Sequence, residues 1–310
     1  MKNTALLDEI PAKLLAELDS RNISKYKIIS VNPAKGRYNL WAITDKQEEV
    51  CIKYNDPEGS GVHSFEKEKE MYRKLDGIPC VPRVIWSENV LATEYLVNSY
   101  TFREWLCANS DKDIFSVYLK DILGKYKLLM KKINDVSSDG SDDFNDDKQL
   151  EIFFDKLLFS GPYGSTVHKI EKIRNKMFRL YLTKKGVFAD KIKSKKRLVH
   201  GDFHLNNILV GNNSAYIIDL ENIDYGNANI ELAYWYVQAW ILIYENNEMV
   251  KILHEEINCV LESDLFDRSE FERIMNLYKV AIIMNCRFHR EEGKVKNSIL
   301  RQALKELELN

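Results

Sequence analysis

The segment VHGDFHLNNILV, residues 199–210, places residues capable of chemistry at a short fixed spacing. Asp202 and Asn207 lie five residues apart on a polar stretch with apolar residues on both sides. A carboxylate can orient a hydroxyl group and accept its proton, and carboxylate and amide oxygens are the ligands that Mg²⁺ prefers. The segment therefore predicts a loop that carries a general base and a metal ligand between two strands.

Two further residues extend this pattern. Lys53 lies in the strand-like run VCIKY, and Asp219 ends the apolar run AYIID. Alone, the lysine is typical of a solvated strand edge and the aspartate of a turn. Together with the loop they match phosphoryl transfer from ATP, in which the protein mainly positions groups and neutralises charge. The lysine would hold the α- and β-phosphates, and the aspartate would be a second Mg²⁺ ligand.

The elements that must position these residues can be read from hydrophobic periodicity. Strands are predicted at 26–32, 38–44, 48–54, 81–87 and 89–96, with helices at 8–20 and 64–75. From about residue 101 the pattern is mostly helical, with helices at 112–134, within 148–192, and at 230–244, 248–261 and 269–286, and with an acidic solvated loop at 135–147. Residues 197–222 are predicted as strand, loop, strand, a turn at 211–213, and strand. We expect an α+β protein with residues 1–97 as one domain and 98–310 as the other.

The motifs resemble those of the aminoglycoside phosphotransferase/choline kinase family. HGDFHLNN matches the family pattern H-G-D-x-H-x-x-N, and IIDLENIDYGNANIELA matches the I-D-x-E segment that follows it. Glu231 replaces the usual Asp before Leu-Ala, and Asn134 stands where many relatives have a His. The resemblance implies a bilobal protein-kinase-like fold, with a small antiparallel β-sheet lobe bearing one helix and a larger, mostly helical lobe.

The resemblance also implies roles for individual residues. Asp202 would be the catalytic base, Asn207 and Asp219 the Mg²⁺ ligands, and Lys53 the lysine that binds phosphate. The backbones of Thr93 and Tyr95 in the segment LATEYL would hold the adenine, and Ala92 would occupy the gatekeeper position.

A carboxylate of the helix 64–75 should pair with Lys53, because a buried lysine needs a partner. The family's spacing, counted back from Leu75, selects Glu68, while Glu66 and Glu70 stay open as alternatives. His200 and His204 are interpreted as residues that support the loop through hydrogen bonds and packing.

The turn between the first two strands, VNPAKGRYN, has one glycine, Gly36, where a protein kinase has G-x-G-x-x-G. Lys35 or Arg37 could contact phosphate there, but the turn composition favours a solvated hairpin tip. This departure, with the absence of recognisable D-F-G and A-P-E motifs, favours a small-molecule kinase over a protein kinase.

Composition limits the classes of binding partner that the sequence supports. The chain has 310 residues, 45% of them hydrophobic, and a formal net charge of −2, which gives no argument for nucleic acid or an anionic membrane as a partner. Its five scattered cysteines fit no zinc or disulfide pattern, and no run approaches the roughly 20 apolar residues of a membrane span. We expect a cytoplasmic protein with a small-molecule hydroxyl substrate.

The acceptor is less well specified by the sequence than the reaction. Acidic residues after Asp219, such as Glu221, Glu231 and Glu255, would suit a cationic amine, although such residues are more often surface charges. The aromatic run in AYWYVQAWILIY, 233–244, could form a cation–π wall for a quaternary ammonium, but its helical spacing favours a core. An antibiotic, an amino alcohol such as choline, or a sugar remain candidates. The competing readings are a catalytically silent nucleotide-binding scaffold and a protein kinase.

Overall fold

The computed structural model describes residues 10–135, 146–160, 168, 171–173, 175 and 197–288. The chain divides into two compact units. The first unit comprises the residues up to Tyr100 together with Leu209–Asn222, and the second comprises Thr101–Ile208 and the residues from Ile223 onward. The expected boundary after residue 97 lies near this division, but residues 209–222 group with the first unit.

The first unit contains an antiparallel sheet and two helices. Its elements before residue 100 are α1 (Ala12–Ser20), β1 (Lys25–Asn32), β2 (Arg37–Ile43), β3 (Glu49–Asn55), α2 (Val62–Lys74), β4 (Val84–Trp86) and β5 (Leu91–Glu94). The strand order is β1-β2-β3-β5-β4, and every neighbouring pair is antiparallel. This arrangement confirms the prediction of a small antiparallel sheet.

Alternation along the strands decides which residues of this sheet face its core. Leu40, Ala42, Val50 and Ile52 are fully buried and pack with α1. Because successive side chains of a strand point to opposite faces, Lys53 points away from this cluster. The sheet thus holds Lys53 on a rigid strand and on the face opposite its main apolar core.

The chain then enters the second unit. The elements of this stretch are β6 (Tyr100–Thr101), α3 (Phe102–Ala108), α4 (Lys112–Asp135), α5 (Asp146–Ser160) and β7 (Arg197–Val199). Thr101 and Glu104 form a reciprocal capping box at the start of α3, which satisfies backbone N–H groups that a helix end leaves open. Most of the predicted acidic loop, and most of the helical stretch predicted between residues 161 and 192, lie outside the described residues.

A hairpin of β8 (Ile208–Gly211) and β9 (Ser214–Ile217) follows the polar loop. Its two turn residues, Asn212 and Asn213, have φ values of 50° and 59°. Two consecutive left-handed residues are the requirement of a type I′ turn, which asparagine tolerates better than most residues. The predicted turn is therefore confirmed, and it brings the chain directly to Asp219.

The remaining described elements return to the second unit. They are β10 (Asp224–Gly226), α6 (Ala228–Ile243), α7 (Asn247–Val260) and α8 (Arg268–Phe288). β10 pairs with β7 in a two-stranded antiparallel ladder that the sequence reading did not include. No helix in the described ranges combines the length and apolarity needed to cross a bilayer.

The aromatic run of α6 belongs to the core of the second unit. Tyr234, Trp235 and Tyr236 are at most 1% exposed. The ammonium of Lys279, from α8, lies 5.1 Å from the ring centres of both Tyr236 and Trp240. The core interpretation is thus confirmed, and the cation that contacts these rings is the protein's own.

Candidate active site

The first unit holds a cluster of opposite charges around Lys53. The Lys53 ammonium lies 2.7 Å from a carboxylate oxygen of Glu68 and 2.8 Å from one of Asp219. Burial alone would lower the pKa of Lys53, but the two carboxylates outweigh it and raise that pKa. The lysine is therefore held charged in a site with little access to solvent.

The register of α2 selects the partner of Lys53. Glu68 is 1% exposed and lies on the same buried stripe of the helix as Phe65. The alternatives pair elsewhere, Glu66 with Lys69 and Glu70 with Lys74. Glu68 is the one of the three candidate carboxylates that contacts Lys53.

Glu221 joins this cluster, whereas the sequence suggested only an acidic contact for a cationic acceptor or a surface charge. Its carboxylate oxygens lie 2.6 Å from the Arg37 guanidinium and 3.1 Å from the Lys35 ammonium. Burial by itself raises the pKa of Glu221, but Arg37, followed by Lys53 and Lys35, outweighs it and lowers the pKa to about 2. The expectation of a solvated hairpin tip is wrong for Arg37, which is buried. The I-D-x-E motif was the available signal for Glu221.

The carboxylates of the first unit fit a divalent cation. One oxygen each from Glu68, Asp219 and Glu221 lie within 4.8 Å of one another. Carboxylate oxygens are hard ligands of the kind that Mg²⁺ prefers. Asp219 also has a φ of 66°, a left-handed conformation that costs free energy in a non-glycine residue and is often found at functional sites.

The polar loop of the second unit is held by hydrogen bonds within itself. Gly201 has a φ of 78°, which glycine adopts without the penalty that a Cβ imposes. The backbone N–H of Asp202 donates to Nδ1 of His200 at 3.2 Å. The Asn207 side-chain amide donates to the Asp202 carbonyl oxygen at 3.0 Å, which orients the Asn207 amide oxygen that is predicted to bind metal.

Glu231 anchors the same loop from α6. It is fully buried and accepts hydrogen bonds from the Tyr126 hydroxyl at 2.6 Å and from the backbone N–H groups of His200 and Phe203. It is therefore neither a surface charge nor an acidic contact for a cationic acceptor. Its place before Leu-Ala in the motif was the signal that could have identified it.

Among the described residues, Lys156 and His204 contact the Asp202 carboxylate. Its Oδ1 lies 2.7 Å from the Lys156 ammonium, and its Oδ2 lies 3.5 Å from Nε2 of His204. Burial would raise the pKa of Asp202, but the hydrogen bond and charge of His204 and then Lys156 outweigh it and hold the pKa well below its usual range. Asp202 is thus ionised at neutral pH. Sequence reasoning gave no signal for Lys156.

The residues predicted to hold adenine lie at the end of β5. Ala92 is fully buried and Thr93 is 8% exposed. The N–H of Tyr95 donates to the Glu49 carbonyl oxygen at 3.1 Å. This bond uses the Tyr95 N–H within the sheet, so an adenine contact from Tyr95 has to come from its carbonyl oxygen.

A protein-family model matches the part of the chain that carries the motifs. The model of the Phosphotransferase enzyme family (APH) matches residues 32–248, a range that includes Lys53, Glu68, Asp202, Asn207 and Asp219. A search of curated protein sequences finds no match.

Solved structures share the fold at low sequence identity. The ADP-bound aminoglycoside phosphotransferase APH(2'')-Ib is 16% identical, with a TM-score of 0.56 over 96% of this chain and 97% of that one. The choline kinase LicA from Streptococcus pneumoniae is 14% identical, with a TM-score of 0.52 over 96% and 98%. The aminoglycoside phosphotransferase APH(3'')-Id from Streptomyces rimosus is 12% identical, with a TM-score of 0.54 over 87% and 97%.

These likenesses establish the fold but do not select an acceptor, because they are shared with both aminoglycoside and choline kinases. The family model spans more than two thirds of the sequence and includes both halves of the motif. On this evidence the chain belongs to the phosphotransferase enzyme family, whose members are ATP-dependent kinases of small molecules with a hydroxyl acceptor.

Proposed function

We propose that this protein transfers the γ-phosphoryl group of Mg-ATP directly to a hydroxyl group of a small molecule, with Lys53, Asp202, Asn207 and Asp219 as its principal site residues. The observation that carries the proposal is the Lys53 ammonium held between Glu68 and Asp219 at 2.7 and 2.8 Å. A purely structural lysine has little need of two carboxylates, since burying charge is costly. A lysine that must meet phosphate in a fixed position benefits from this arrangement.

The first unit supplies the groups that handle phosphate. Lys53 binds the α- and β-phosphates of the nucleotide, while Glu68 fixes the position of its ammonium. Asp219 is the proposed metal ligand of this unit, with Glu221 nearby among the carboxylate oxygens that suit Mg²⁺. When bound, the metal neutralises charge on the phosphate oxygens. The backbone at Thr93 and the Tyr95 carbonyl oxygen are the proposed adenine contacts.

The second unit supplies the groups that handle the acceptor. Asp202 orients the attacking hydroxyl and accepts its proton, and Asn207 is the proposed amide ligand of the metal. Transfer is direct in this proposal, because Asp202 serves as the base for the acceptor hydroxyl and none of the proposed roles requires a covalent nucleophile of the protein. An isolable phosphoenzyme formed during turnover would contradict this mechanism.

The acceptor is a small molecule from one of three chemical classes: an aminoglycoside-like antibiotic, an amino alcohol or a sugar. The family match and the intact set of charged residues together speak against a silent scaffold and against a protein kinase. The core position of the α6 aromatics removes one feature that had favoured quaternary ammonium compounds.

The test of this proposal is phosphate transfer from labelled Mg-ATP across a panel of these acceptors. Asp202→Asn should lower turnover by about 10²- to 10⁴-fold, the usual contribution of a positioned base, while nucleotide affinity changes little. The exposed Asp19→Asn, in α1, is the matched control and should behave as wild type. Unchanged turnover in Asp202→Asn would remove Asp202 from the mechanism, and absence of any transfer or ATP hydrolysis in wild type would contradict the proposed function itself.

A further inference from the structure

Helix α5 is firmly placed within the second unit. The Asn227 backbone N–H donates to the side-chain oxygen of Gln149 at 2.8 Å in a buried contact. One turn further along α5, the ring of Phe153 packs 4.8 Å from that of Tyr234 in α6. Lys156 follows Phe153 by three residues, so both side chains lie on neighbouring positions of one helix face. The position of the Lys156 backbone is therefore set by packing and hydrogen bonds.

The side chain of Lys156 reaches the proposed base. Its ammonium lies 2.7 Å from Oδ1 of Asp202 and passes 5.2 Å from the centre of the Phe153 ring. Its side chain is 34% exposed, whereas that of Asp202 is 17% exposed. Lys156 thus has a partly exposed side chain whose charged end contacts the carboxylate of the proposed base. It precedes Asp202 by 46 residues and lies outside both motif segments.

The two oxygens of Asp202 are in different situations. The Asn206 backbone N–H donates to Nδ1 of His204, so a neutral His204 carries its hydrogen on Nε2, the nitrogen that faces Oδ2. Oδ1 forms an ion pair with the Lys156 ammonium. A cation that remained on Oδ1 throughout the reaction would oppose proton transfer to Asp202, because it stabilises the ionised carboxylate.

During phosphoryl transfer, the transferred phosphoryl group is a second anionic partner for the Lys156 ammonium. The attacking hydroxyl must lie within hydrogen-bond reach of Asp202, and the phosphorus about 3 Å from the attacking oxygen. Negative charge spread over the equatorial oxygens of the transferred group then lies close to the Lys156 ammonium. Positioned cations at such oxygens are a main source of catalysis in phosphoryl transfer.

We propose, on the basis of the function proposed above, that Lys156 is a catalytic residue whose ammonium exchanges Asp202 for the transferred phosphoryl group. As the bond from the acceptor oxygen to phosphorus forms and the bond from phosphorus to the ADP oxygen breaks, Lys156 binds an equatorial oxygen. Asp202, released from the ion pair, accepts the acceptor proton. The products are the phosphorylated acceptor, ADP and the proton on Asp202.

The test compares Lys156→Met, Lys156→Arg and Lys156→Ala with wild type. The control is Lys251→Met, which removes a 77% exposed lysine of α7. The measured quantities are kcat and KM for transfer to a panel acceptor, the rate of Mg-ATP hydrolysis with water in place of the acceptor, and the Kd for Mg-ATP. The free energy of unfolding is measured for each variant.

Lys156→Met should lower the rates of transfer and of hydrolysis by about 100-fold, as the loss of one electrostatic contact to a transition state does. Its Kd for Mg-ATP should stay within about threefold of wild type, because the contact belongs to the transition state. Lys156→Arg should recover at least about a tenth of the lost activity, and added ethylammonium should partly restore Lys156→Ala.

Other outcomes separate the two proposals. If the wild type transfers phosphate to an acceptor or hydrolyses Mg-ATP, and Lys156→Met does so equally fast, the role of Lys156 is excluded while the proposed function stands. A Lys156→Met variant that loses rate, nucleotide affinity and stability together, with no rescue by arginine or alkylammonium, shows a structural role and also overturns the inference. A wild-type protein with neither activity overturns both proposals.

Discussion

Lys53 illustrates how a single residue is both necessary to the site and costly to the fold. Its ammonium is ion-paired with Glu68, which is almost entirely buried, and with Asp219, which is partly exposed. Removal of one member of a buried ion pair leaves an uncompensated charge, whereas replacement of both members by apolar residues is often neutral. The stability effect of a change here depends on which charges remain.

Lys53→Met should therefore lower the free energy of unfolding by about 3 kcal/mol, and Lys53→Met/Glu68→Met should be more stable than this single variant. Both should lose ATP-dependent transfer. Unfolding in denaturant, followed by circular dichroism, measures the difference.

The matched control for this pair is Lys74→Met, which removes the exposed partner of Glu70 on the same helix. It should change stability by less than about 1 kcal/mol, as exposed ion pairs usually do. A double variant that is destabilised by the sum of the Lys53 and Glu68 single effects would show that the two charges do not interact.

At this scale, the sequence identified site residues that belong to a motif. It did not identify residues that reach the site only through the fold. Asp202 and Asn207 were selected from their short spacing, Asp219 from its place at the end of the following strand, and Glu68 from the family's spacing counted back from Leu75. Lys156 could not be found in this way, because its contact with Asp202 joins residues 46 apart in sequence. Arg37 was misread because turn composition does not reveal that a buried carboxylate, Glu221, is the partner of its guanidinium.

At the scale of elements, three elements hold the loop at residues 200–207 in place. β7 and β8 flank it, and Glu231 of α6 binds its backbone N–H groups. The left-handed conformation of Gly201 allows the chain to turn between His200 and Asp202. A preorganised loop of this kind keeps a base in place without reorganisation during the reaction.

Gly201→Ala should strain this turn by about 1–2 kcal/mol, the cost of a left-handed conformation for a residue with a Cβ. We expect a lower free energy of unfolding and a lower kcat, because Asp202 is the next residue. Thermal unfolding and transfer assays measure the two effects.

Gly124→Ala is a control substitution for which the expected change in stability has the opposite sign. Gly124 lies on the exposed face of α4, and an added Cβ there has open space. Alanine should stabilise this helix by about 0.5–1 kcal/mol and leave kcat unchanged. Equal effects of the two substitutions would contradict the argument from backbone conformation.

The elements themselves were predictable where periodicity was long or turn chemistry was specific. The three strands β1 to β3 and the helices α4, α6, α7 and α8 lie within a few residues of their predicted positions. The Asn212–Asn213 turn followed from the tolerance of asparagine for positive φ. The strand β10 has three residues, too few for any periodicity to be detected.

At the scale of the whole molecule, the fold is shared far more widely than the sequence. Structures that are 12–16% identical to this chain align over 87–96% of it, and they include both antibiotic and choline kinases. The same architecture thus occurs in kinases of different acceptors. Fold similarity at this level of identity shows the architecture alone, and function depends on particular side chains.

Nucleotide binding should be visible in the stability of the entire protein. With Mg-ATP at about 100 times its Kd, the native state gains about 2.7 kcal/mol, which should raise Tm by several degrees. ATP with EDTA should give a smaller rise, because the carboxylates of the first unit then face the phosphates without a cation.

Differential scanning fluorimetry of the protein alone, with Mg²⁺, with Mg-ATP and with ATP plus EDTA measures this dependence. In Asp219→Asn the two nucleotide conditions should differ less than in wild type, since one proposed metal ligand is lost. An equal shift with and without Mg²⁺ in wild type would contradict the proposed metal site.

Lys279 takes the place of a bound ammonium ion beside the rings of Tyr236 and Trp240. Two aromatic rings form a host for a cation, and Lys279 is a guest tethered to the same molecule. A tethered guest has an effective concentration on the order of millimolar or higher, so a free ammonium compound must outcompete it to use these rings. Removal of the Lys279 charge would vacate the host, which makes position 279 the natural starting point for engineering ammonium recognition into this protein.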